Sequence, residues 1–321
     1  MKKVLFSAPY MIPFVERFKP VFDHYGIELI EPIVEERMEE EELLKYAGQF
    51  DGAICGDDRY TPRVLTACAP RLKVISKWGT GIDSIHEETC AKLGIKIGRT
   101  LNAFTLPVAD SVLGYMLAFS RKQPWMDKAM KAGVWQKIPG KALHEQVLGI
   151  IGVGNIGKAV TRRARAFGMT VYGNDILEID HVFIAETGIK MVPLDDLIRN
   201  SDFISVNCDL NPSSFHLINA ESLKGAKPGS ILINTARGPI VNEDDLVKAL
   251  NSGKLFGAAL DVFEVEPLPH NSPLISMDNV MIAPHNTNSS PSAWERVHWN
   301  TIRNLLEGLD IDSSGLEEII K

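Results

Sequence analysis

The sequence predicts an α/β protein made of two doubly wound parallel-sheet domains, one inserted into the other. Three observations predict it. Short apolar runs alternate with helix-like stretches in two successive series, the rhythm of parallel strands covered by helices. At 321 residues the chain exceeds one comfortable core. Two long helical patterns stand where the series change over. The first domain is thus expected to be discontinuous, residues 1–100 plus 287–321, with residues 101–286 inserted.

The first series runs through Val4 to Phe6, Ile27 to Ile30, Ala53 to Cys55, Val74 to Ser76 and Ile95 to Ile97. Its opening run reads as a strand and not as a signal peptide, because Pro9, Pro13, Glu16 and Arg17 interrupt any apolar core. The second series comprises Val147 to Ile151, Thr170 to Tyr172, Phe203 to Val206, Ile231 to Ile233, Ala258 to Leu260 and Val280 to Ile282. Between them a helix is expected from Leu106 to Ser120, with Pro107 near its first turn, where a missing N–H costs nothing. Another follows Ser290-Pro291, placing Trp294, Val297, Ile302, Leu305, Leu306 and Leu309 on one face. Both are expected to connect the domains.

Composition narrows the function classes. A net charge of −7 gives no electrostatic reason for nucleic acid or an anionic membrane as partner, and an anionic substrate would need local positive charge. No run approaches the roughly 18 apolar residues of a membrane span. Cys55, Cys68, Cys90 and Cys208 lie far apart with no Cys/His cluster, which reads as reduced thiols in a cytoplasmic protein without structural metal.

The glycine turn Gly152-Val153-Gly154-Asn155-Ile156-Gly157 carries the first functional signal. It directly follows the strand Val147 to Ile151 and opens the helical stretch Lys158 to Phe167, which Gly168 can end. Gly152 permits the tight turn, Gly154 lets backbone approach a pyrophosphate, and Gly157 allows helix and strand to pack closely. The helix N-terminus then faces the phosphates. Asp175, beyond the next strand, is spaced to accept the ribose hydroxyls. An acid there repels a 2′-phosphate, and Ile176-Leu177-Glu178 supplies no arginine, so NAD is expected over NADP.

The chemistry lies at three later strand exits. In a parallel sheet the C-terminal strand ends share one edge, where open α/β folds bind ligands. One strand runs into Thr235-Ala236-Arg237, the next into Asp261 and Glu264-Val265-Glu266-Pro267, the last into Pro284-His285. A guanidinium can fork onto a substrate carboxylate. An imidazole titrates in the range needed to give or take the carbonyl proton, and a carboxylate beside it favours its charged form. Spacing alone leaves Glu264 and Glu266 equally eligible.

The segments KVISKWGTGIDSI (73–85), VADSVLGYMLAFSR (108–121), LGIIGVGNIGKAV (148–160), KPGSILINTARGPIVNEDDLVKAL (227–250), GAALDVFEVEPLP (257–269) and NVMIAPH (279–285) resemble the D-isomer-specific 2-hydroxyacid dehydrogenases. The similarity is to the branch containing phosphoglycerate dehydrogenase and glyoxylate/hydroxypyruvate reductase. It implies a Rossmann NAD-binding domain inserted into a flavodoxin-like substrate domain, and a homodimer joined through the cofactor domain. It also implies that Arg237 binds the carboxylate of a 2-hydroxy or 2-keto acid, that His285 is the acid/base, and that Glu266, immediately before the proline, is its partner. By the same matching Gly152, Gly154, Asn155, Ile156, Gly157, Asp175, Cys208, Thr235, Ala236 and Asp261 contact the cofactor, Asp261 near the nicotinamide amide. Lys77, Trp78, Gly79 and Gly81 bind the substrate, the Gly79-Thr80-Gly81 loop offering backbone N–H groups to its carboxylate, with Thr80 between cofactor and substrate.

Departures bear on the substrate. Phosphoglycerate-oxidising members usually carry an arginine where this chain has Gly56, followed by Asp57 and Asp58, and another where it has Lys77. A doubly charged phosphate is poorly served, leaving Lys77 or Arg59 as its substitutes. Phe104 replaces a usual Asn, and Asn286-Thr287-Asn288 replaces small residues after the histidine. Phosphoglycerate dehydrogenase proper is one alternative. A non-catalytic NAD-sensing protein is the other, against which the intact Arg237/Glu266/His285 set argues.

Overall fold

The computed structural model describes residues 1–316, so residues 317–321 of the expected tail lie outside the described residues. The chain forms two compact units, one of Met1–Ala103 with the chain from Ser290 onward, the other of Phe104–Ser289. Each holds one parallel sheet, as the two apolar series require.

In the first unit β1 (Lys2–Phe6), β2 (Ile27–Ile30), β3 (Gly52–Cys55), β4 (Val74–Lys77) and β5 (Lys96–Gly98) lie in the order β2-β1-β3-β4-β5, all parallel. This is the flavodoxin-like order, with its switch point between β1 and β3. Every residue of β3 and β4 is buried, because helices cover both faces. The helix Pro291–Gly308 packs on one face through Leu305 and Gly308; a Cβ on Gly308 would come within 2.2 Å of the Val74 side chain. The opposite face is a core of Leu5, Leu43, Phe50, Tyr60, Leu65 and Ile75, among others.

In the second unit β6 (Val147–Ile151), β7 (Thr170–Asn174), β8 (Lys190–Met191), β9 (Phe203–Val206), β10 (Ser230–Asn234), β11 (Leu255–Leu260) and β12 (Val280–Ile282) form one parallel sheet, ordered β12-β11-β10-β9-β6-β7-β8. Counted from its own first strand this is the Rossmann order, extended by one strand at the far edge. One face carries Val112, Met116, Phe119, Val160 and Phe183, the other Leu197, Leu223, Leu246 and Leu250.

Two elements have no counterpart in the sequence reading. The edge strand β8 is two residues long and presents no apolar run. The helix Gln123–Lys131 has no buried residue, so core periodicity could not announce it. The long helices Thr105–Arg121 and Pro291–Gly308 were expected as connectors; each instead starts just past a change-over and belongs wholly to one unit. No helix among the described residues is long and apolar enough to cross a membrane.

Candidate active site

The glycine turn sits where β6 ends. Gly152 has φ +89°, and a Cβ on it would lie 2.5 Å from the amide nitrogen of Cys208 at the end of β9, so conformation and packing both exclude a side chain. A Cβ on Gly157 would lie 2.1 Å from the Gly152 carbonyl oxygen, which brings the helix Asn155–Ala166 hard against the turn. Gly154 differs. Its φ of −74° suits any residue and no protein atom lies within 4 Å of a Cβ built there, so the fold itself does not demand glycine. The open space beside it suits the close approach of a ligand. Gly154 is also the N-cap of that helix and has no side-chain cap, leaving the first-turn amide of Ile156 to a ligand. At the far end Gly168 (φ +77°) closes the helix, its amide on Arg165 and the Met169 amide on Ala164 at 2.9 and 3.1 Å.

Asp175 follows β7 and reaches back over the turn. One oxygen accepts from the Val153 amide at 2.6 Å, the other from Leu177 at 2.9 Å, which fixes the carboxylate beside the glycines. On the same edge the Thr235 hydroxyl and the side-chain amide oxygen (Oδ1) of Asn207 are buried without a hydrogen-bond partner. Native interiors rarely leave such groups orphaned, so both fit a polar ligand. Together with the uncapped helix and the open cradle at Gly154, they match the needs of a dinucleotide. Asn207 escaped the sequence reading, although a polar residue ending an apolar strand was visible. Burial pushes the Cys208 thiol up to about 11, so it stays a neutral thiol. Ala236 belongs to a turn stapled by Asn234, whose side chain accepts from the Ala236 amide and donates to the Arg237 carbonyl.

The expected acid/base pair is joined. Nδ1 of His285 lies 3.0 Å from Oε2 of Glu266. A carboxylate can only accept, so Nδ1 carries the proton, and Nε2 is the ring nitrogen that Glu266 does not engage. The other Glu266 oxygen accepts from the Phe263 amide at 2.9 Å. Glu264 is committed elsewhere: its carboxylate accepts from the Glu243 amide and sits 3.2 Å from Nε2 of His216. Backbone direction, which spacing could not supply, separates the two acids. Arg237 lies one strand over, half-buried, and Gly238 after it packs so closely on Phe263 that a Cβ would overlap the Phe263 carbonyl at 1.9 Å.

Asp261 serves this loop directly. It is fully buried; its carboxylate accepts the amides of Asn286 and Thr287 at 2.7 and 3.0 Å as well as the Thr287 hydroxyl, while its backbone carbonyl accepts the His285 amide at 2.7 Å. These bonds surround a histidine held at φ +50°, a conformation that a non-glycine residue adopts only when its surroundings impose it.

In the first unit, Gly79 (φ +117°) turns the chain after β4, the Thr80 hydroxyl donates to the Thr100 carbonyl at 2.7 Å, and among the described residues no protein acceptor takes the amides of Thr80 and Gly81. Lys77 is buried and its ammonium is spent on Asp57 at 3.0 Å and the Trp78 carbonyl at 3.1 Å. Arg59 has its amide on the Met38 carbonyl. Gly56 is glycine by packing: a Cβ there would lie 2.7 Å from the ring of Pro9.

Comparison with known proteins agrees with this geometry. The model of the D-isomer specific 2-hydroxyacid dehydrogenase NAD binding domain matches residues 113–287. A glyoxylate reductase of Thermofilum pendens is 38% identical over 273 residues, 83% of this chain and 80% of its own length. A D-3-phosphoglycerate dehydrogenase of Methanocaldococcus jannaschii is 36% identical over 256 residues, 79% of this chain but 48% of the longer relative. Among solved structures, a D-lactate dehydrogenase from Aquifex aeolicus complexed with NAD and lactic acid superposes with a TM-score of 0.84 at 25% identity, covering 96% of this chain and 97% of its own.

Proposed function

The chain belongs to the D-isomer specific 2-hydroxyacid dehydrogenases, and on that footing we propose that it interconverts an unphosphorylated 2-keto acid and its D-2-hydroxy acid. It is an NAD-dependent oxidoreductase. When bound, the nicotinamide supplies the hydride that adds to the keto carbon. The guanidinium of Arg237 pairs with the substrate carboxylate and orients the carbonyl. Nε2 of His285 gives its proton to the carbonyl oxygen and, in the reverse direction, takes it from the hydroxyl. Glu266 holds the imidazole in the tautomer that makes this possible and stabilises the imidazolium. The observation that carries the proposal is the 3.0 Å bond between His285 and Glu266 on the sheet edge that presents Arg237.

Against phosphoglycerate stand the ion pair that consumes Lys77 and the Pro9 ring that fills the space beside Gly56. A cytoplasmic location is supported by free thiols throughout, three of them buried. A homodimer rests on the resemblance alone.

The test is NADH oxidation with a panel of 2-keto acids. Arg237→Ala and His285→Ala are each expected to lower kcat/KM by roughly 10²-fold or more. Full turnover in both variants refutes the assignment, whereas NAD binding without turnover of any keto acid favours a sensing protein.

A further inference from the structure

The chemistry of the substrate's side chain is legible in the first unit. In a flavodoxin-like sheet the ligand crevice opens at the switch point, here where β1 and β3 exit side by side. The β1 exit is a turn from Ala8 to Met11, closed by the Met11 amide on the Ala8 carbonyl at 2.9 Å, with Pro9 at its second position. Pro9 packs on Gly56 of the β3 exit, and the turn presents Tyr10.

The Tyr10 ring stacks on Trp78 with centroids 4.4 Å apart and planes 24° apart, and Trp78 immediately precedes the Gly79-Thr80-Gly81 loop. Trp294, from the long helix, meets both rings, at 5.3 Å from Tyr10 and 5.8 Å from Trp78. Trp78 is only 3% exposed and its indole N–H is tied to Nδ1 of His298 at 3.0 Å, so it forms the floor. Burial pushes the His298 imidazole down to about 4, which keeps that acceptor unprotonated at neutral pH. Tyr10 and Trp294 are only half-buried and keep exposed ring surface, tilted 59° to one another. Two cations of this unit are paired, Lys77 with Asp57 and Arg17 with Glu295.

We propose that Tyr10 and Trp294 are specificity-determining residues that receive the substrate's side chain and select 2-keto acids whose side chain is apolar and bulky, aryl above all. This rests on the reading of the chain as a 2-keto acid reductase. With the carboxylate on the amides of Thr80 and Gly81, the side chain would lie against the outer faces of the two touching rings, where an aryl group gains aromatic contact and loses water. A phosphate or second carboxylate would meet ring faces there and a lysine already neutralised by Asp57.

The experiment compares kcat/KM for glyoxylate, which has no side chain, with pyruvate, 4-methyl-2-oxopentanoate and phenylpyruvate, using NADH and the full chain. Phenylpyruvate is expected to exceed glyoxylate by about tenfold or more, the range that hydrophobic pockets achieve. Tyr10→Ala and Trp294→Ala should each lower the phenylpyruvate-to-glyoxylate ratio about tenfold, while Tyr10→Phe, which keeps the ring, should hold it. Glyoxylate turnover reports that each variant has folded, and Tyr10→Leu repeats the test if Tyr10→Ala has not. Glyoxylate used better than phenylpyruvate, or a ratio that neither variant moves, overturns the proposal. Failure to turn over any 2-keto acid overturns the enzymatic reading itself.

Discussion

Replacing Thr287 with Val tests whether the loop that carries His285 is held by Asp261. The substitution keeps the β-branched shape and removes only the hydroxyl. Asp261 is fully buried and accepts two amides and this one hydroxyl, so the carboxylate loses one of three donors with no water to replace it. A hydrogen bond to a charged group is worth about 1.5–3 kcal/mol, and that is the expected loss of stability in urea unfolding. If the same free energy is lost from the competent placement of His285, kcat falls by about 10- to 100-fold. NADH affinity should stay close to wild type, because the change lies in the anchor of the histidine and not in the glycine turn. Thr287→Ser restores the donor and should recover most of kcat. Stability lost with kcat unchanged would show that His285 needs no such anchor, and the reasoning would fail.

Gly56→Arg, which installs the arginine of phosphate-using relatives, should not create a phosphoglycerate enzyme. Its Cβ alone meets Pro9 at 2.7 Å, so we expect about 1–3 kcal/mol of destabilisation and no gain in kcat/KM for 3-phosphohydroxypyruvate over hydroxypyruvate. A wild-type preference for the phosphorylated acid would refute the argument and point to Arg59. Two buried groups of the first unit should oppose one another in acid. Burial lowers His298 from 6.5 to about 4, so the unfolded chain takes up that proton first and stability falls as pH drops through this range. Burial raises Asp58 from 3.8 to about 6, so there the folded state takes up the proton first and stability rises as pH drops. Each effect amounts to about 2 kcal/mol between pH 6.5 and 4.5, and they nearly cancel. Asp58→Asn removes the counterweight and should lose about 2 kcal/mol more than wild type over this interval, measured by urea unfolding; parallel pH profiles would contradict it.

Strand positions and the glycine turn were legible because they rest on local rules. The runs Ile27 to Ile30, Val147 to Ile151, Phe203 to Val206 and Val280 to Ile282 became strands with those very ends. Apolar runs of three residues or more announce themselves, even at sheet edges such as Ile27–Ile30 and Val280–Ile282; the two-residue edge strand Lys190–Met191 does not. Gly152 and Gly157 were assigned their roles from position in the motif, and the close approaches of 2.5 and 2.1 Å that their Cβ atoms would make give the physical ground.

The sequence by itself determined the fold class, the dinucleotide turn and the residue types that gather at the strand exits, because strand direction in a parallel sheet places them without side-chain detail. Tertiary structure alone decided what Asp261 holds, that Lys77 is already paired, and that Pro9 claims the space beside Gly56, and it gave the physical ground for Glu266 over Glu264. Those are questions of where a side chain ends. Each is settled by a partner far away in the chain, such as Trp294 against Tyr10 or Asp261 against Thr287, and spacing along a sequence carries no record of distance across a fold.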